Sequence, residues 1–159
     1  MTASMLTRAL GFIGLVPFLV PSCVMVEAAL LGNGLQSAAI FGLYAPYVFI
    51  AYSAVILSFL SGTLWSQARQ NDDSLALMAI LFSNLLALSA WACLLLIYIA
   101  PIMTIFSVCL LLAGYLGLLF AESLIGINQD RSYWRMRLWL TLWVGLAHLL
   151  VISLMVLEL

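Results

Sequence analysis

Lysine is absent from this chain of 159 residues, and histidine occurs once, at His148. Five arginines and six acids supply all the formal charge, 7% of the residues, where a soluble domain carries about 25%. So few charges exclude a water-soluble surface, and five cations are too few for a nucleic-acid interface. A single histidine excludes a bis-histidine haem or a His-rich metal site within one chain. Cys23, Cys93 and Cys109 lie in apolar runs without CxxC or Cys/His spacing and read as small buried hydrophobes. There is no Gly-rich phosphate loop, no pair of catalytic carboxylates and no nucleophile elbow. The expectation is therefore a protein that is not an enzyme and has no metal or cofactor.

What the chain does contain is apolar sequence, 67% of it. A spanning helix needs about 20 mostly apolar residues. Five stretches qualify, at about 6–31, 45–65, 75–98, 102–121 and 135–157. The expected fold is all-α, one transmembrane domain over residues 1–159 built as a bundle of five helices. Pro46 and Pro101 suit first turns, where a missing N–H costs nothing. Asp72, Asp73 and Ser74 before the third span, and Asp130 and Ser132 before the fifth, are capping residues. Pro17 and Pro21 predict a kink in the first span. Arg8, an apolar run and VPSC ending at Cys23 resemble a lipoprotein leader. The run continues to Leu31 and a proline sits just before the cleavage position, so an uncleaved span is expected.

All five arginines (Arg8, Arg69, Arg131, Arg135 and Arg137) fall on connections that alternate to one side, and the opposite connections have none. The positive-inside rule then places the N-terminus in the cytoplasm and the C-terminus outside. With no transit peptide before the first span, the expected location is a bacterial inner membrane.

On a wheel of about 100° per residue, Ala54, Ser58, Gly62 and Trp65 of the second span share a sector with Ala51 and Ser61. Small residues let helices approach in a bilayer, so these predict a tight seam, with Ser58 and Gly62 in a close helix contact and Leu57 on another face. Ala113, Gly117 and Ala121 offer a second ladder. Arg137, Thr141, Gly145 and His148 align on the fifth span, opposite Trp139 and Trp143. Asn84 and Trp91 share a face of the third. Ser58, Asn84 and Gly145 fall at similar depth and are expected to share hydrogen bonds.

Two ionisable residues remain inside the membrane, Glu27 near the outer end of its span and His148 just beyond the midplane. Such groups are functional hypotheses by default. Tyr52, Trp91 and His148 are candidates for lining a polar or ligand site. Arg131, Arg135 and Arg137 with Tyr133 and Trp134 form a basic aromatic cluster, read as topology and headgroup anchors.

Three stretches, LGFIGLVPF at 10–18, YSAVILSFLSGTLWS at 52–66 and YWRMRLWLT at 133–141, together resemble a family of uncharacterised bacterial membrane proteins. That family, a domain of unknown function, also includes the mitochondrial transmembrane protein 69. Ser61 and Ser66 stand where the family favours glycine, and YW replaces WY. The resemblance implies an inner-membrane multi-helix protein and no particular activity. The leading functional expectation is a structural, accessory or assembly role. Its partners would be membrane lipid and other membrane proteins or a second copy of the chain, without nucleic acid. The alternative is a binding protein or transporter for a lipophilic or small solute, such as a quinone or a lipid.

Overall fold

The computed structural model describes residues 3–70, 73–125 and 131–158. In chain order the elements are α1 (Ala3–Ile13), α2 (Val16–Leu30), a 3-10 turn (Leu35–Ser37), β1 (Ala39–Ile40), β2 (Leu43–Tyr44), α3 (Ala45–Ala68), α4 (Ser74–Leu96), α5 (Pro101–Ile125) and α6 (Arg131–Leu157). Five helical stretches are long and apolar enough to cross a membrane: Met5–Leu30, Ala45–Ala68, Ser74–Leu96, Met103–Ile125 and Arg131–Leu157. The chain is thus an all-α, multi-pass membrane protein. The chain is described as two compact units. One is Met1–Phe49 with Asp130–Leu159, the other Ile50–Gln129, and the division falls inside α3.

The first span is broken rather than only kinked. Pro17 has no N–H to give the carbonyl of Ile13, so α1 stops there and α2 restarts at Val16 with the proline in its first turn. Between them Leu15 N–H bonds Phe12 O at 3.0 Å and Phe18 N–H bonds Leu15 O at 3.0 Å, the tighter i→i−3 pattern. Pro21 stays within α2, and one residue on the Ser22 hydroxyl donates to Phe18 O at 2.8 Å. In the same unit α1 and α2 both pack on α6, and a Cβ added to Gly11 would lie 3.1 Å from Leu140 Cδ1.

The connection after α2, legible in sequence only as an uncharged loop, is ordered. Its hairpin pairs Ala39 with Tyr44 and Ile40 with Leu43. The two residues at its tip, Phe41 and Gly42, have φ of 51° and 79°, the signs of the I′ turn that suits a two-residue hairpin. The Glu158 carboxylate, just past the end of α6, accepts from the backbone N–H of Leu35. Leu35 and Ala38 are buried, so this carboxylate helps fasten the connection to the first unit. Tyr44 stacks edge-on against Tyr47 at 5.0 Å. Burial pushes the Tyr44 phenol above its ordinary value, and the Glu158 carboxylate adds to the rise.

The second unit centres on α4 packed along α5. The Asp73 carboxylate caps α4 by accepting from Ala76 N–H at 2.7 Å. Asp72 and Asp130 lie outside the described residues. Ser132 is inside the first turn of α6 rather than before it, because that helix starts four residues earlier than the apolar pattern indicates. The buried positions of α4 are Ala76, Ala79, Ser83, Leu86, Ala90 and Cys93. Those of α5 include Thr104, Val108, Leu111, Tyr115, Leu118 and Glu122. Both series alternate steps of three and four, the 3.5-residue repeat of left-handed helix packing. Where the two helices approach their hairpin, the Ser107 hydroxyl reaches Cys93 O at 3.3 Å, and the Cys93 thiol points to Ser107 O at 3.6 Å. The Tyr115 hydroxyl donates to Ser53 O of α3 at 2.9 Å.

The expected seam on α3 is corrected. From Ile50 onward the buried face of α3 runs through Ile50, Ala54, Leu57, Ser61, Leu64 and Ala68, with Ser53 beside it. Ala54 belongs to this face, but Ser58 is half-buried, and Gly62 and Trp65 are exposed. A strict i+4 run turns by about 40° at each step on a helix of 100° per residue. Ala54, Ser58 and Gly62, each four residues after the last, therefore start on the buried face and walk off it. On α5, Ala113 is exposed and Ala121 half-buried, but Gly117 does lie in a helix contact, since a Cβ on it would sit 3.0 Å from Phe82 Cζ of α4. Tighter still is Gly114. A Cβ there would sit 2.6 Å from Leu57 Cδ2, whereas one at Gly62 meets nothing within 4 Å.

Two outcomes follow. Gly114→Leu should lower stability in detergent by about 1–3 kcal/mol through overpacking. Gly62→Leu should leave it unchanged or raise it by up to about 1 kcal/mol, because leucine is the better helix former. Thermal unfolding of the two variants under identical conditions decides it, and equal losses would place Gly62 in a contact after all. Independently, Glu158→Ala should speed hydrogen exchange at the Leu35 amide while the amides of α4 and α5 exchange as before.

Candidate functional site

The fully buried histidine lies in the first unit. α6 carries His148 on the same face as Arg137, Thr141, Val144, Val151 and Met155, the 3.5-residue repeat again. Trp139 and Trp143 are exposed on the other side. The imidazole Nδ1 lies 2.8 Å from the carbonyl of Val144 one turn earlier. A carbonyl only accepts, so Nδ1 carries the proton in this arrangement. Phe49, at the start of α3, meets the imidazole edge-on at a centroid distance of 4.8 Å. Phe18 of α2 lies 6.0 Å from it and 5.6 Å from Phe49. The three rings form a buried aromatic cluster. Thr141 Oγ1 is buried with no hydrogen-bond partner among the described residues.

Beside this cluster, a groove of about 420 Å³ runs along α2 and α6, lined by Leu19, Ser22, Cys23, Val26, Glu27, Leu30, Leu31 and Leu150. The Ser22 hydroxyl is turned back onto Phe18 O. Glu27 is thus the one ionisable carboxylate on an otherwise apolar lining.

The members of the expected ligand triad divide between the units. His148 belongs to the first unit, Tyr52 and Trp91 to the second. Tyr52 is half-buried. Trp91 is 59% exposed, because it follows Ala90 of the α4 seam by one residue and so points outward. Asn84 is likewise on the exposed face and donates its amide to Ile80 O of its own helix at 2.9 Å. Its amide is thus satisfied within its own helix rather than by Ser58, and Gly145, in the first unit, is half-buried. In a bilayer an exposed amide is best satisfied by the carbonyl one turn back, and Asn84 takes that route.

The basic cluster divides as well. Arg131 and Arg135 are exposed and Trp134 half-buried, positions compatible with headgroups. Arg137 is 5% exposed and so does not present its charge to lipid. The step of two residues from Arg135 turns about 200°, enough to carry it to the inner face. Arg8 donates to the Ser132 hydroxyl, which ties the start of α1 to the start of α6, and Arg69 sits over the Trp65 ring at 4.8 Å.

One buried charge escaped the sequence reading. Glu122, 1% exposed, lies in the last turns of α5, just past the expected end of the fourth span at residue 121. The signal was present, since Glu122 continues the repeat through Leu111, Tyr115 and Leu118. Among the described residues no group of three or more His, Cys, Asp or Glu is placed to hold a metal ion.

No curated protein and no solved structure matches the chain. A family match does extend over residues 4–153, taking in both units, the broken first span and the aromatic cluster around His148. On that coverage the chain belongs to the family described as "Protein of unknown function (DUF3429)".

Proposed function

We propose that this protein is a non-catalytic structural or accessory component of a bacterial inner membrane, acting through its packed helices on lipid and on neighbouring membrane proteins. The observation that carries this reading is the fate of its hydroxyls. Ser61, Thr63, Ser83, Ser89, Ser107, Ser123 and Ser153 each return a bond to a carbonyl of their own helix, at 2.6–2.8 Å. Side chains used in this way support helices and present little chemistry to a solute. The arginine distribution supports an orientation with the N-terminus in the cytoplasm and the C-terminus outside.

A second reading, binding or transport of a lipophilic solute, draws on the groove along α2. Native mass spectrometry after mild extraction separates the two. The structural reading expects the chain to leave the membrane with another protein subunit. A monomer that carries only a stoichiometric small solute would overturn it in favour of the second reading.

Orientation is tested by reporter fusion. A reporter active only outside the cytoplasm should be active after residue 159 and silent near residue 70. The reverse pattern would invert the assigned topology.

A further inference from the structure

We infer that the groove between α2 and α6 is a site for one phospholipid whose headgroup carries an ammonium, with an acyl chain along the groove and the ammonium on Glu27. Three observations combine. The first is shape. From Leu19 to Leu30 the lining advances eleven residues, about 16 Å at 1.5 Å per residue, close to the depth of one leaflet of a hydrocarbon core about 30 Å thick. The walls in between are Cys23, Val26 and Leu150, which suit a methylene chain.

The second is position. Glu27 is exposed and lies three residues before the end of its span at Leu30. That places the carboxylate where the chains of a lipid give way to its head.

The third is charge. The Glu27 carboxylate has no ion-pair or hydrogen-bond partner among the described residues. The sequence from 28 to 68 contains no charged residue, and neither does the connection 97–100 that alternates to the same side. The other carboxylate at that end, Glu158, is engaged with Leu35 N–H. The chain therefore supplies no cation where Glu27 needs one. An ammonium headgroup brings the charge and the hydrogen-bond donors together, while a phosphatidylglycerol headgroup brings hydroxyl donors but no positive charge.

The inference is independent of the accessory role, because lipid retention is read without reference to any protein partner. The full chain in mild detergent is titrated with phosphatidylethanolamine or phosphatidylglycerol of identical chains, and bound lipid is counted by native mass spectrometry. One interfacial charge contact is worth about 1 kcal/mol, so phosphatidylethanolamine should bind about fivefold more tightly. Glu27→Gln should erase that preference without changing the unfolding temperature. Leu150→Trp, at a partly exposed position on the groove wall, should weaken both lipids alike. Glycerophosphoethanolamine, a head without chains, should not compete. A preference that survives Glu27→Gln overturns the headgroup contact. Indifference to Leu150→Trp, or competition by the chainless head, overturns the acyl-chain groove.

Discussion

A lipid interior offers no water to a hydrogen-bonding group, so every N–H, carbonyl and hydroxyl in the spans must be satisfied from within the protein. Much of this structure follows from that constraint. It explains why Ser61, Thr63, Ser83, Ser89, Ser107, Ser123 and Ser153 bond backward to carbonyls of their own helices, a pattern that Thr141 does not follow. It also explains the first span. Proline at 17 removes a donor, and the chain answers by ending α1 and restarting α2 with the proline in a first turn, where that donor is not needed. Pro21 cannot be treated in the same way because it falls mid-helix, and the Ser22 hydroxyl beside it closes on Phe18 O.

With the backbone satisfied locally, association of the helices rests on close packing rather than on a hydrophobic force. The buried faces of α3, α4, α5 and α6 follow one 3.5-residue rhythm, filled with Ala, Ser, Cys and Gly where backbones come near and with Leu or Tyr where they do not. The rhythm is present in the sequence, yet it is hidden by composition. Lipid-facing positions such as Leu85 and Leu88 are as apolar as seam positions such as Leu86, so apolarity cannot report burial in a bilayer. Small residues are the better signal, but they occur off the seam too, as at Gly62. Following them at a spacing of four rather than alternating three and four was enough to rotate the expected face of α3.

The same asymmetry decides what could be read of the site. The five spans, the Asp73 cap and the inward face of α6 are legible because proline, acid and histidine are rare enough to carry meaning. His148 stands out as a lone ionisable group. Phe18 and Phe49 do not, since a phenylalanine that packs on an imidazole and one that faces acyl chains look alike in sequence. Glu122 was lost to a helix end drawn one residue short. The hairpin at residues 39–44 was lost because it closes on Phe41, a residue that sequence rules do not expect at positive φ.

The distribution of charge separates two carboxylates that composition alone would treat as equivalent. Arg8 and Ser132 show cations being absorbed into structure at the arginine-rich end of the first unit, where a hydroxyl suffices as partner. At the opposite end of that unit there is no cation to absorb. Glu158 resolves this by leaving the span and accepting a backbone N–H, which gives it a structural task at the connection between α2 and α3. Glu27 remains within the span, on a wall of the groove, facing outward. A carboxylate fixed in that place is costly unless something outside the chain compensates it. The membrane has its own supply of compensating groups at that depth. What the chain contributes is then an apolar channel of leaflet length and a single charge at its end, a combination that discriminates among lipids by their heads while accepting any of their tails.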